Sequence, residues 1–233
     1  KPVLELIGQR IEPTLSLAAG TMFLAVLVAV PLGTLAAWRM GGWLDRILSG
    51  FAVAGFSVPV FVIGYVLIYI FAIELKWFPV QGYKRLLGPS SQGVGPWAWQ
   101  LVLPWLSLAT IYVALIARVT RASVSEALTE DYIRTARAKG VTEQAVLMRH
   151  ALSNAAVPIV TVIGIGVALL IGGVVVTESV YAIPGLGRLT VDAVLARDFP
   201  TIQGVILFFS FIYVVVNLLV DLSYVFFDPR IRY

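Results

Sequence analysis

Residues Arg118–Asn154, RVTRASVSEALTEDYIRTARAKGVTEQAVLMRHALSN, interrupt a chain that is otherwise almost wholly apolar. The stretch holds six of the seventeen Lys and Arg residues and the single histidine, His150. Its helix punctuation falls on either side of Gly140. Thr129 stands where an N-cap belongs, and Glu130 and Asp131 follow in a first turn, where the positive end of the helix dipole favours anions. Arg134, Arg137 and Lys139 come late, where cations are favoured, and Gly140 suits the left-handed C′ position that closes a helix. Thr142 is placed to cap a second helix, with Glu143 in its first turn and Arg149 and His150 late. Ala145, Met148 and Leu152 recur at helical spacing and predict a narrow apolar stripe on that helix. The expected product is a pair of short helices, angled by a glycine and polar outside, built to meet something other than lipid.

Around this insert the composition is that of a membrane protein. Apolar residues make up 59% of 233 positions and the mean hydropathy is +0.91, which excludes an ordinary soluble domain. A span needs about 20 apolar residues to cross the hydrocarbon. Five stretches qualify, near Thr14–Trp38, Leu48–Ile73, Gln100–Ala117, Ala155–Val176 and Ile202–Phe226. The fold class expected is an all-α integral membrane protein, residues 1–233 forming one transmembrane domain with 118–154 as an insert. Pro31 and Gly33 predict a kink in the first span, and Ser57 and Pro59 a break in the second. Glu74–Trp99, rich in Gly, Pro and Trp, reads as an external loop, as does Thr177–Pro200. Within the latter Pro184, Gly185 and Gly187 mark a turn and Leu189–Ala196 a short helix. Ala168 and Gly172 form a small-xxx-small pair on the fourth span, equally suited to an internal packing face or a subunit contact.

Cationic residues are biased to one side. Arg39, Arg46, the six of the insert, Arg230 and Arg232 make ten, against seven at Lys1, Arg10, Lys76, Lys84, Arg85, Arg188 and Arg197. The positive-inside rule then puts the insert and the C-terminus in the cytoplasm. With five spans the N-terminus is outside, and since the chain opens at Lys1 with the polar KPVLELIGQRIEP, a further span upstream is expected. The basic balance is accounted for by this placement. No aromatic-basic surface points to nucleic acid.

Several chemistries are missing. Cysteine is absent, so thiolate metal sites, disulfides and a cysteine nucleophile are excluded. The span centres carry no ionisable residue, and Asp221, a turn after Asn217, lies toward the end of the last, so the usual proton or ion relay is not in evidence. Ser57 in Gly55-Phe56-Ser57 has no base near it in sequence, because the one histidine is in the insert. No GxxxxGK[ST] loop is present, and Gly185-Leu186-Gly187 lacks a third glycine. Uphill movement of a solute must therefore draw its energy from another polypeptide. Mixed charges and a small apolar stripe favour docking of the insert into a protein groove over simple adsorption to anionic headgroups. An ion-coupled secondary transporter and a membrane scaffold or receptor remain the other two classes.

The segment DYIRTARAKGVTEQAVLMRHALSNAAVPIVT resembles the EAA-type loop of ABC importer permeases, in the dipeptide/oligopeptide/nickel variety. PTLSLAAGTMFLAVLVAVPLGTLAAWRMGGWLD, GFSVPVFVIGY, YAIPGLGRLTVDAVLARDFPTIQG and NLLVDLSYVFFDPRIR resemble successive blocks of the B-type permease subunit. The chain departs from the general loop pattern at Arg134-Thr135-Ala136 and at Leu152-Ser153, with proline delayed to Pro158, as the peptide subgroup does. The resemblance implies a multi-pass permease of a bacterial or archaeal inner membrane, taking up peptides or a similar small solute such as glutathione or a nickel chelate, and carrying a further N-terminal span. It implies a homologous second permease, two cytoplasmic ATPase subunits that bind ATP and Mg, and an extracytoplasmic binding protein. No catalytic residue is implied in this chain. The coupling residues it implies are Ala136, Gly140, Val141, Glu143, Val146 and Arg149, and candidates for the path are Ser57, Pro59, Thr161 and Gly164.

Overall fold

Long apolar runs in this chain become helices because, away from water, a helix satisfies every backbone N–H and C=O within itself. The computed structural model describes residues 2–89 and 91–227, and these are helical apart from turns and loops. Lys1, Arg230 and Arg232 of the charge count, and the DPRIR end of the last block, lie outside the described residues. Helix α1 runs Val3–Trp38, α2 Trp43–Ser57, and α3 Val60–Leu67, which continues as a π-helical stretch over Ile68–Glu74. Helix α4 spans Val94–Thr129, α5 Asp131–Ala138 and α6 Glu143–Ala145. A π-helical stretch, Val146–Ala151, joins α6 to α7, Leu152–Asn154. Helix α8 covers Ala156–Val180, α9 Leu186–Ala196 and α10 Phe199–Phe227.

Three of these, α1, α4 and α10, are long and apolar enough to cross a membrane alone, and two bent pairs bring the number to five. The pairs are Trp43–Gly55 with Val60–Glu74, and Glu143–Asn154 with Ala156–Leu170. The break in the first pair falls where Ser57 and Pro59 predict it: α2 ends at Ser57 and Pro59 is the extended N-cap of α3. Pro31 lies within α1, which continues through it to Trp38.

Two expectations about element limits need correcting. Helix α1 begins at Val3, so KPVLELIGQRIEP is not a polar lead-in; Val3, Leu6, Ile7 and Ile11 recur at helical spacing and pack with Leu186, Leu189, Val205, Phe208 and Phe209. Likewise α4 runs through Thr129, so Arg118–Thr129 extends a long helix. Thr129 is no N-cap: its hydroxyl donates back to the Glu126 carbonyl at 2.7 Å, and Glu130, with extended backbone, precedes α5.

The chain condenses into two compact units. One comprises the described parts of Lys1–Leu24, Val58–Thr110 and Val167–Val214, and the other those of Ala25–Ser57, Ile111–Gly166 and Val215–Tyr233. In the first, the N-terminal part of α1 meets the loop before α4, the start of α4 and the turn before α9. Glu12 accepts the N–H groups of Leu86 and Leu87 at 2.6 and 3.1 Å and the Tyr83 hydroxyl at 3.2 Å. The Trp97 and Trp105 indoles donate to the Ser16 hydroxyl and carbonyl at 3.3 and 3.1 Å. Helix α10 starts with Asp198, which accepts from the Thr201 N–H and hydroxyl at 3.3 and 2.6 Å, with Pro200 in the first turn.

In the second unit α1 and α4 touch backbone to backbone. A Cβ on Gly33 would lie 2.6 Å from the Ala117 carbonyl oxygen and 2.8 Å from Thr120 Cβ. Helices α8 and α10 meet at Gly164, where a Cβ would lie 2.6 Å from a Val220 methyl, whereas Gly172 in the first unit faces open space. Gly33→Ala should thus cost about 1–3 kcal/mol through forced separation of the helices. Gly172→Ala should be neutral or gain up to about 1 kcal/mol from helix propensity. Thermal unfolding of the two variants in one mild detergent checks this; equal midpoints would refute the close approach at Gly33.

Candidate functional site

The insert resolves into α5 and a second helical segment, Glu143–Asn154, joined at Gly140. Gly140 has φ +78°, its N–H donates to the Arg137 carbonyl at 2.9 Å, and the Val141 N–H reaches the Ala136 carbonyl at 3.2 Å. These two bonds are the paired closure of a Schellman end, which needs a left-handed residue between them. Across the turn Arg137 grips Glu143 bidentately, Nε to Oε1 at 2.8 Å and Nη2 to Oε2 at 3.1 Å, and this bond raises the Arg137 pKa. Both partners are near half exposed, so the bridge sets an angle more than it stabilises the fold.

The inner side of the pair is a core. Ile133, Ala136, Val146, Leu147 and Ala151 are buried with Val124 and Ala127 of α4, Ala37 of α1 and Ala155 and Ile159 of α8, and Val141 packs against them. Of the predicted stripe of Ala145, Met148 and Leu152, Leu152 packs against this core but Met148 is 53% exposed, while Val146 and Ala151 are wholly buried. The reason is the π turn, in which residues five apart stack, so Val146 and Ala151 share a side. Thr142 does precede the second helix with extended backbone, although its side chain makes no capping bond.

The residues singled out from sequence thus divide. Ala136 and Val146 lie in the core and Val141 is half-buried, while Gly140, Glu143 and Arg149 are exposed on the outer face. Of the path candidates, Ser57 is exposed and returns its hydroxyl to the Val53 carbonyl at 2.9 Å, and Pro59 is exposed. The Thr161 hydroxyl donates to the Val157 carbonyl at 2.8 Å and lies 2.9 Å from the Tyr224 hydroxyl, beside the Gly164 contact with α10.

A second constellation, in the other unit, was not singled out. Glu178 is wholly buried just past the apolar stretch of α8. Its carboxylate accepts from the Thr14 hydroxyl at 2.6 Å and the Arg188 N–H at 2.9 Å, and also from Gly187. Thr14 in turn accepts the Leu186 N–H at 2.8 Å. The first N–H groups of α9, which have no partner in their own helix, are all taken, and α9 therefore starts at Leu186, earlier than its sequence suggests. A Cβ on Gly185 would collide with the Glu178 carboxylate. The one sequence signal was the poor cap itself: a glycine preceding a helix, with a carboxylate seven residues earlier.

With this geometry in place, comparison with known proteins is direct. Residues 29–233 match the model of the family described as binding-protein-dependent transport system inner membrane component. A probable peptide ABC transporter permease protein of Sinorhizobium fredii is 57% identical over 232 residues, covering all of this chain and 73% of the relative. A glutathione transport system permease protein of Escherichia coli strain K12 is 43% identical over 234 residues, with 72% of its length covered. Among solved structures, a chain of the inward-facing MetNI methionine ABC transporter aligns with TM-score 0.77 at 17% identity, over 98% of this chain and 99% of that one, which shows the fold. The chain belongs to the family of inner-membrane components of binding-protein-dependent transport systems, the multi-pass permeases of ABC importers.

Burial raises the Glu178 pKa above its ordinary value of 4.5, against the opposing pull of its hydrogen bonds. The native state therefore binds this proton more tightly than the unfolded chain. Its contribution to stability is greatest below 4.5 and declines as pH rises through the native value. Glu178→Gln lacks this slope, so the two midpoints should diverge with acidification from pH about 8 to about 5, wild type gaining relative to the variant. Parallel midpoints across that range would show that folding does not raise the Glu178 pKa.

Proposed function

We propose that this permease carries peptides, or a compact peptide such as glutathione, across the inner membrane, driven by ATP hydrolysis on separate subunits. The observation that carries the reading is the α5–Asn154 helix pair: a turn locked at Gly140, a polar outer face, and an inner face sharing one core with the ends of α4 and α8. A close-packed core moves as a body. A push on the outer face thus displaces the helices behind it. The names of the Sinorhizobium and Escherichia relatives support the solute class.

In this reading the helix pair and the C-terminus face the cytoplasm. Gly140, Glu143 and Arg149 meet one of two ATPase subunits, which bind ATP and Mg, and this chain supplies no catalytic group. Ala136, Val141 and Val146 act from inside, holding the pair in register with α4 and α8. A homologous second permease completes the path, with Ser57 and Pro59 at the α2–α3 break as candidates to line it. Thr161 and Gly164 serve it through the α8–α10 contact. An extracytoplasmic binding protein delivers the solute to the Leu75–Gly93 loop and the α8–α9 turn.

Gly140→Val tests this directly. A β-branched residue in the left-handed region costs about 1–2 kcal/mol and shifts the angle of the pair. In proteoliposomes holding the whole complex, ATP hydrolysis should persist while peptide uptake falls by roughly tenfold, the change that about 1.4 kcal/mol produces. Gly140→Asn, which tolerates positive φ, should keep most uptake. Normal uptake by Gly140→Val would remove the helix pair from the transport mechanism.

A further inference from the structure

We infer that the second unit carries a binding site for the headgroup of an anionic phospholipid, between α2 and α4. A cavity of about 280 Å³ lies there, lined by Leu48, Ser49, Ala52 and Val53 of α2 and by Arg118 and Arg121 of α4. Arg121 is already committed: its Nε and Nη2 bind the two oxygens of the buried Asp45 carboxylate, the Nη2 bond at 2.9 Å, and Asp45 also accepts the Gly41 N–H at 2.9 Å. Arg118 is exposed and has no hydrogen bond or ion pair among the described residues. One carboxylate and two guanidinium groups leave a net single positive charge, with Arg118 as its free bearer. That complements the single negative charge of a phosphodiester, and Ser49 adds a hydroxyl at the same rim.

Depth points to lipid. The apolar stretch of α2 begins at Leu48 and that of α4 ends at Ala117, so both helices place the cavity where hydrocarbon gives way to headgroups. The lining is polar at the arginines and apolar at Leu48, Ala52 and Val53, the last 69% exposed, which suits a phosphate with the start of an acyl chain beside it. Basic recesses between helices at this level are the kind of site anionic headgroups occupy. The Asp45–Arg121 pair holds one wall of the cavity in place. An occupant there bridges α2 to the same α4 whose far end joins the core of the α5 pair.

The test uses the intact complex, purified with its companion subunits and incubated in mild detergent with equimolar dioleoyl phosphatidylglycerol and dioleoyl phosphatidylcholine. Native mass spectrometry then counts retained lipid. Wild type should keep phosphatidylglycerol in preference, and Arg118→Gln should lower that retention by roughly tenfold, the scale of one lost charge-assisted hydrogen bond. Ser49→Trp, which fills the cavity but leaves both arginines, should lower it similarly. Unchanged retention in either variant overturns the site, because loss with Arg118→Gln alone means diffuse attraction to a surface charge. Displacement of phosphatidylglycerol by a tripeptide would overturn it too, reassigning the cavity to a substrate carboxylate. Should Arg118→Gln fail to assemble, Arg118→Lys and Ser49→Trp decide, the first retaining lipid and the second losing it.

Discussion

A helix end away from water must find partners outside its own helix for N–H and C=O groups that the helix cannot satisfy. Much of this structure follows from how those partners are supplied. At α5 the chain closes its own C-terminus with two backbone bonds around Gly140, and the direction of departure is then set by one left-handed residue. At α10 a local aspartate, Asp198, serves the first turn. At α9 no local side chain is available, because Gly185 precedes it, and the missing acceptors come from Glu178 and Thr14. Since Thr14 is 164 residues from Glu178, capping one short helix ties α1 to the end of α8.

The same requirement gives each unit its character. In the first, Glu12, Thr14 and Ser16 put acceptors within about one turn of α1, so one helix anchors the loop before α4, α4 itself and the turn before α9. In the second, the closed end at Gly140 folds α5 and its successor onto α4 and α8, where small residues, Ala127, Ala136, Ala151 and Ala155, allow close packing. A pair built in that way has little freedom to move alone. Rigid displacement of packed elements between two arrangements is the ordinary means by which such a unit transmits a push, and the permease family to which the chain belongs is one in which membrane helices work with other subunits.

Much of this was readable from residue order. Uniform apolarity over about 20 positions leaves the backbone little choice but helix, and the break at Ser57 and Pro59 follows from a missing N–H. Gly140 declared itself because cations crowd the turn before it and a capping residue follows, all within a dozen positions. Val3, Leu6, Ile7 and Ile11 also carried a helical period that the neighbouring charges obscured, and the start of α1 was missed for that reason. A period of 3.6 puts Met148 beside Leu152 on one stripe, whereas the π turn keeps Leu152 against the core and brings Val146 and Ala151 inward in place of Met148.

By itself the sequence determined the all-helical membrane class, the position of the polar helix pair and the glycine that turns it, since each depends on interactions spanning a few residues. Only the tertiary structure decided that Ala136 and Val146 are core while Glu143 is bound to Arg137, that Thr161 and Gly164 serve a helix contact, and that Glu178 is buried. It also decided that Asp45 pairs with Arg121 across 76 residues and leaves Arg118 beside a cavity with no partner among the described residues. Those facts depend on which helices lie side by side, and side-chain pairing over such separations leaves no period or local motif in the chain.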